Sequence, residues 1–257
     1  MKFKAMLLGL SVITALPAFA QKPVYLDTGK PIEERVKDAL NRMTLEEKVK
    51  MIHAQSKFSS AGVPRLGIPE VWATDGPHGI RPEVLWDEWD QAGWTNDSCV
   101  AYPALTCLAA TWNPDMSLLY GKSIGEEARY RNKNVLLGPG VNIYRTPLNG
   151  RNFEYFSEDP LVTGQFAAAM TRGIRSAGSS ATVKHFAANN QETERHNVNS
   201  VVSERALREI YLKGFEIAVK EGNANSIMTS YNPVNGHWTA SNYDLNTTIL
   251  RGEWGYQ

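Results

Sequence analysis

The sequence predicts an α/β fold on a parallel sheet, of the (β/α)-barrel kind. Two observations carry that reading. Short apolar runs alternate with long amphipathic stretches from residue 69 onward, the pattern of parallel strands whose crossover helices cover the sheet faces. In addition, the unusual polar residues follow the apolar runs, and strand ends converge on one mouth in such a barrel.

The strand candidates are Glu70–Ala73, Val135–Leu137, Ala181–Val183 and Ser226–Met228. Helical spacing predicts helices over Asp115–Arg131, Leu161–Arg175 and Ser203–Lys220. Asp159-Pro160 has the form of an N-cap followed by a first helical residue. Upstream, Pro31 opens a helix whose apolar positions are Ile32, Val36, Ala39, Leu40 and Met43. Thr44-Leu45-Glu46-Glu47 has the order of a capping box and opens a second helix through Ile52.

The first twenty residues have a separate character. Lys2 and Lys4 precede an apolar run from Ala5 to Leu16, then Pro17 and Ala18-Phe19-Ala20. A basic start, a short apolar core and small residues before the cut describe a secretory leader cleaved after Ala20. Twelve residues rise only ~18 Å as a helix, short of a ~30 Å hydrocarbon core. The expected product is periplasmic or secreted and starts at Gln21, with residues 21–257 long enough for one barrel domain. The full chain holds 27 basic and 27 acidic residues, and the leader holds two of the lysines and no acid. The mature balance is therefore 25 against 27, which speaks against nucleic acid and anionic membrane as partners. A hydrophobic content of 42% is ordinary for a globular chain. Export permits a disulfide, but spacing alone leaves open whether Cys99 and Cys107 are bridged.

Asp75, Arg151, Lys184, His185 and Tyr231 all follow predicted strands. A carboxylate accepts from two adjacent hydroxyls while Arg and Lys donate to others, so this set suits a neutral polyol. Adjacent strand residues point to opposite faces, so Lys184 and His185 share a pocket only if the strand ends or bulges there. Asp75-Gly76-Pro77-His78-Gly79 also has turn composition. Gly138-Pro139-Gly140 lacks the order of a phosphate loop. His53 and His196 lack zinc-type spacing, so neither a metal nor a cofactor is expected. Trp86, Trp89 and Trp94 lie in one acidic segment, where they either stack on sugar or pack the loop onto the barrel.

Five segments, in order, resemble glycoside hydrolase family 3. They are DGPHGIR from Asp75, GPGVNIYRTPLNGRNFEYFSEDP from Gly138, KHFAANNQETER from Lys184, MTSYNPVNG from Met228 and LRGEWGY from Leu250. The resemblance implies an N-terminal (β/α)8 TIM-barrel-like domain, incomplete here, with the last strands and a C-terminal α/β sandwich domain lying beyond this sequence. It implies retaining, exo-acting hydrolysis, most simply by a β-glucosidase releasing terminal non-reducing glucose. The substrate would be a β-linked oligosaccharide or an aryl β-glycoside. Asp75, Arg151, Lys184, His185, Arg195 and Tyr231 would bind the sugar, and Glu154 would orient the cations. The nucleophilic Asp is expected just after Gln257 and the acid/base in the second domain, so the isolated fragment is expected to be inactive. A β-xylosidase of the same family is the nearest alternative, and a non-catalytic sugar-binding barrel is the alternative from another class. Lys184-His185-Phe186-Ala187-Ala188-Asn189-Asn190 departs from the KH(F/I)PGHG form of the N-acetylhexosaminidase branch.

Overall fold

The computed structural model describes residues 22–93 and 98–257. The expected leader, together with Trp94 and Asp97, lies outside these residues. The chain divides into two compact units, Met1–Lys48 and Val49–Gln257.

In the first unit a 3-10 turn, Val24–Leu26, precedes helix α1, Ile32–Arg42. The two are tied by polar contacts: Asp38 accepts from the Tyr25 N–H at 3.0 Å, and Arg35 donates to the Tyr25 carbonyl at 3.1 Å. The start of helix α2, Leu45–Met51, has the capping box that the sequence predicts. Thr44 N donates to the Glu47 carboxylate at 2.8 Å, and Glu47 N donates to the Thr44 hydroxyl at 3.2 Å. Two orphan amide donors are thereby satisfied reciprocally.

The second unit is built on one six-stranded sheet in simple sequence order. Strands β1 (Ala54–Ser56) and β2 (Ser59–Ser60) run antiparallel and lead into β3 (Val71–Asp75). From β3 onward the pairing is parallel, through β4 (Val135–Leu137), β5 (Ser180–Phe186) and β6 (Ser226–Thr229). Helices α3 (Leu105–Ala109), α4 (Pro114–Tyr130), α5 (Pro160–Ser176), α6 (Glu204–Ala206) and α7 (Lys213–Lys220) lie in the crossovers. This is the parallel α/β arrangement expected from the alternation, as a curled half-barrel. Strand ends differ by one to three residues from the sequence expectation. Asp75 closes β3 rather than following it, and β5 runs on through Lys184 and His185.

The sheet register explains how one element serves two purposes. Side chains alternate between faces with period two. Thr74 lies beside Leu136, Leu136 beside Ala181, and Val183 beside Ile227. That face packs on the helices, where Leu136, Ala181 and Val183 join Ile124, Met170, Ile174 and Phe215 in the core. The opposite face carries Asp75, Thr182 and Lys184, and Thr182 donates to the Ser226 hydroxyl at 2.9 Å.

Helices α4 and α5 approach closely because their contact is made of small residues. Ser117 donates to the Phe166 carbonyl at 2.8 Å. A Cβ on Gly173 would run into the carbonyl oxygen of Leu118, and one on Gly121 into that of Met170. Backbone cannot yield as a side-chain tip does, so Gly173→Ala is expected to cost about 1–3 kcal/mol in urea unfolding. The N-cap is as predicted: Asp159 Oδ1 accepts from Leu161 N at 2.7 Å and Val162 N at 3.0 Å.

One helix departs from expectation. The stretch Ser203–Lys220 is broken by a π-type turn, Leu207–Tyr211. Leu212 N bonds to Leu207 O at 2.8 Å, an i→i−5 contact. The extra residue lets Leu207 and Leu212, five apart, both enter the core. Among the described residues no disulfide joins Cys99 to Cys107, and Cys107 is exposed.

Candidate functional site

The C-terminal ends of β3 and β5 and the loops after β4, β5 and β6 gather the six sequence-predicted residues into one chain of contacts. Asp75 pairs with Arg81 at 2.8 Å. The next residue, Gly76, accepts a hydrogen bond from Lys184 Nζ through its carbonyl at 3.1 Å. Lys184 also pairs with Glu154 Oε2 at 2.9 Å, and both side chains are almost wholly buried. Arg151 bonds to the other oxygen of Glu154 and reaches Glu192 at 4.0 Å. Glu192 in turn holds Arg195 at 2.8 Å. The Arg195 guanidinium lies over the ring of Tyr231, 4.7 Å from its centroid. The half-exposed Tyr231 is flanked on its other contact by the ring of His196 at 4.7 Å.

His185 enters through a second branch. The strand register slips between Lys184 and Phe186, and the Lys184-His185 peptide bond is cis. The bulge that the sequence argument requires is present at this position. The Asn142 carboxamide brackets His185, accepting from its N–H and donating to its carbonyl, both at 2.9 Å. Glu192 Oε1 accepts from Asn189 Nδ2 at 3.2 Å, which fixes the amide's orientation. Asn189 Nδ2 then donates to the Tyr155 oxygen at 3.3 Å, and the Tyr155 hydroxyl meets His185 Nδ1 at 3.2 Å. A neutral imidazole, with one ring nitrogen free of a proton, fits this contact.

The electrostatics reinforce this state. Burial, then the charges of Arg151, Lys184 and Arg195, hold the His185 imidazolium well below the usual histidine range. Burial, and then Glu154, push the Tyr155 phenol up, so it stays a donor. For Arg151, burial is the largest influence and works against the charge, but Glu154, Tyr155 and Glu192 together outweigh it and the net shift is upward. A neutral His185 has a consequence for stability. In the unfolded chain its imidazole binds a proton below about pH 6.5, while in the folded chain it does not. The unfolded state thus binds more protons in that window, and stability falls as pH drops from about 6.5 toward the folded value. The slope approaches about 1.4 kcal/mol per pH unit. In His185→Gln that slope is expected to be lost, as read from denaturant midpoints across the window.

Sequence reasoning missed three parts of this arrangement. Arg81 lies inside the quoted Asp75 segment, yet its pairing with Asp75 depends on the following loop. Its guanidinium lies 5.2 Å from the ring centroid of Trp89 and 5.8 Å from that of Phe58. Trp89 also packs edge-on against Phe58 at 6.0 Å while 61% of it stays exposed. Glu192 is an acid flanked by cations within the Lys184 segment, a signal available beforehand. Tyr155 and Asn142 gave no local signal.

A half-barrel of parallel strands with linked cations, carboxylates and an aromatic ring at its strand ends defines a (β/α)-barrel domain shaped to hold a polar ligand. Residues 36–257 match the family description "Glycosyl hydrolase family 3 N terminal domain", and the chain belongs to that family. It is 58% identical over 251 residues to Beta-glucosidase BoGH3A of Bacteroides ovatus, covering 96% of this chain and 34% of that protein. To the Beta-glucosidase of Ruminococcus albus it is 52% identical over 191 residues, 74% of this chain and 19% of the other. The structure of beta-glucosidase 3B from Thermotoga neapolitana in complex with glucose superposes with a TM-score of 0.77 at 42% identity, covering 86% of this chain and 32% of that one. The chain spans about a third or less of the length of these relatives.

Proposed function

We propose that this chain holds the terminal sugar in a retaining exo-β-glucosidase that is exported after removal of residues 1–20. The observation that carries the reading is the unbroken chain of contacts from Gly76, beside Asp75, through Lys184, Glu154, Arg151, Glu192 and Arg195 to Tyr231. Asp75 accepts from two neighbouring hydroxyls. Lys184, Arg151, Arg195 and His185 donate to others, and Tyr231 supplies a ring edge beside the reacting carbon. Glu154 and Glu192 hold the donors at fixed spacing, so the cations are ordered before the sugar arrives.

Retaining hydrolysis needs two carboxyls about 5–5.5 Å apart, one to attack and one to protonate the leaving oxygen. Asp75, Glu154 and Glu192 are each committed to cations. The reading therefore gives the reacting roles to other carboxyls and leaves these three to binding and positioning. Glucose complexes of the relatives support a glucoside, and the β-xyloside alternative differs only at the hydroxymethyl group. Calorimetric titration of this chain with glucose and with xylose is the test. Saturable glucose binding that Lys184→Ala removes is the expected result, and no binding of either sugar would sink the reading. Export is checked separately, by finding Gln21 at the N-terminus of the secreted protein.

A further inference from the structure

We propose that the cavity beneath the loops after β5 and β6 is a binding site for a monovalent alkali-metal cation, sodium or potassium, held by side-chain amide oxygens. The cavity measures about 140 Å³ and is lined by Asn189, Asn190 and Asn232 with Ala188, Val198 and Ser200 among its walls. The Oδ1 atoms of all three asparagines are buried and meet no donor among the described residues. Asn189 and Asn232 are themselves 2% and 1% exposed.

Two of the three amide orientations are fixed by their partners. Asn189 Nδ2 is committed to the Glu192 carboxylate at 3.2 Å. Asn232 Nδ2 donates to the Pro233 carbonyl at 3.2 Å and to Ser200 Oγ at 3.1 Å, while Ser200 Oγ itself donates to the Ala188 carbonyl at 3.0 Å. These partners accept, so nitrogen must face them and oxygen is left facing elsewhere. A buried carbonyl without a donor is costly, and three on residues that line one small space call for an electropositive occupant. Neutral oxygen ligands suit a singly charged hard cation, since divalent ions draw on carboxylates for their affinity. Among the described residues no group of three or more His, Cys, Asp or Glu side chains is placed to hold a metal.

The position gives the ion a task. The walls join the loop that carries Arg195 to the segment that carries Tyr231. Ser230 donates to the Ala187 carbonyl at 2.9 Å, and Ser200 pairs with Val234. A cation bridging Asn189 and Asn190 to Asn232 locks these two segments in register.

The test compares the melting temperature of this chain in sodium, potassium and choline chloride at equal ionic strength. The expected result is a saturable rise of about 2–4 °C in one alkali salt over choline. Among the described residues the Asn190 side chain makes no hydrogen bond, so Asn190→Leu should fold and lose the difference. Equal melting in all three salts, or a difference that survives in Asn190→Leu, overturns the proposal. Crystals soaked in rubidium or thallium give a second readout independent of the variant. An anomalous peak between Asn189, Asn190 and Asn232 supports the site, and water alone at that point overturns it.

Discussion

Replacing Glu154 by alanine is expected to lower the stability of the Val49–Gln257 unit by about 3–5 kcal/mol, the usual cost of leaving a buried charge without its partner. Glu154 and Lys184 are 4% and 3% exposed, and the same carboxylate also holds Arg151. Removing it strands one ammonium out of reach of water and loosens a guanidinium that is 20% exposed. The remaining acceptor on Lys184 is the Gly76 carbonyl, a neutral group that offsets only part of the loss. The double variant Glu154→Leu with Lys184→Met removes both charges together and should recover much of the stability, because the pair's attraction and its desolvation cost vanish together. Urea unfolding of the three proteins decides. A single-variant loss below about 1 kcal/mol would show that the pair is solvated and does not organise the mouth.

Asp75→Ala is expected to raise the glucose dissociation constant of this chain about 10²-fold or more while leaving its stability almost unchanged. Each hydrogen bond to a charged group contributes about 1.5–3 kcal/mol, and the proposed role gives Asp75 two of them. Its ion pair with Arg81 is 41% and 36% exposed, and pairs of that kind contribute about 0–1 kcal/mol to folding. The two measurements therefore separate binding from scaffolding. An unaltered glucose affinity in Asp75→Ala would remove this residue from the sugar site. In the whole protein the same change should lower kcat/KM for a β-glucoside by a similar factor.

Much of the fold was legible because its signals are local. Asp159 satisfies amides two and three residues away, and Thr44 and Glu47 satisfy each other within one turn. The apolar runs at Val135 and Ala181 needed only their own spacing to read as strands. The β1–β2 hairpin escaped notice because Ala54–Ser56 and Ser59–Ser60 are short and polar, without an alternating pattern. The π-type turn at Leu207–Tyr211 escaped for another reason. A continuous 3.6-residue period fits the sequence well enough, and only the demand that Leu207 and Leu212 both reach the core adds the extra residue.

By itself the sequence determined the residue types at the mouth, their order along the chain and their positions at strand ends, because these follow from local periodicity and from composition. The tertiary structure alone decided which charge meets which. Glu154 serves Lys184, thirty residues onward, as well as Arg151 nearby. Glu192 joins Arg151 to Arg195, and Tyr155 meets His185. Such partnerships depend on the parallel register of β4 and β5, which brings distant strand ends side by side, and a linear pattern carries no distance between them.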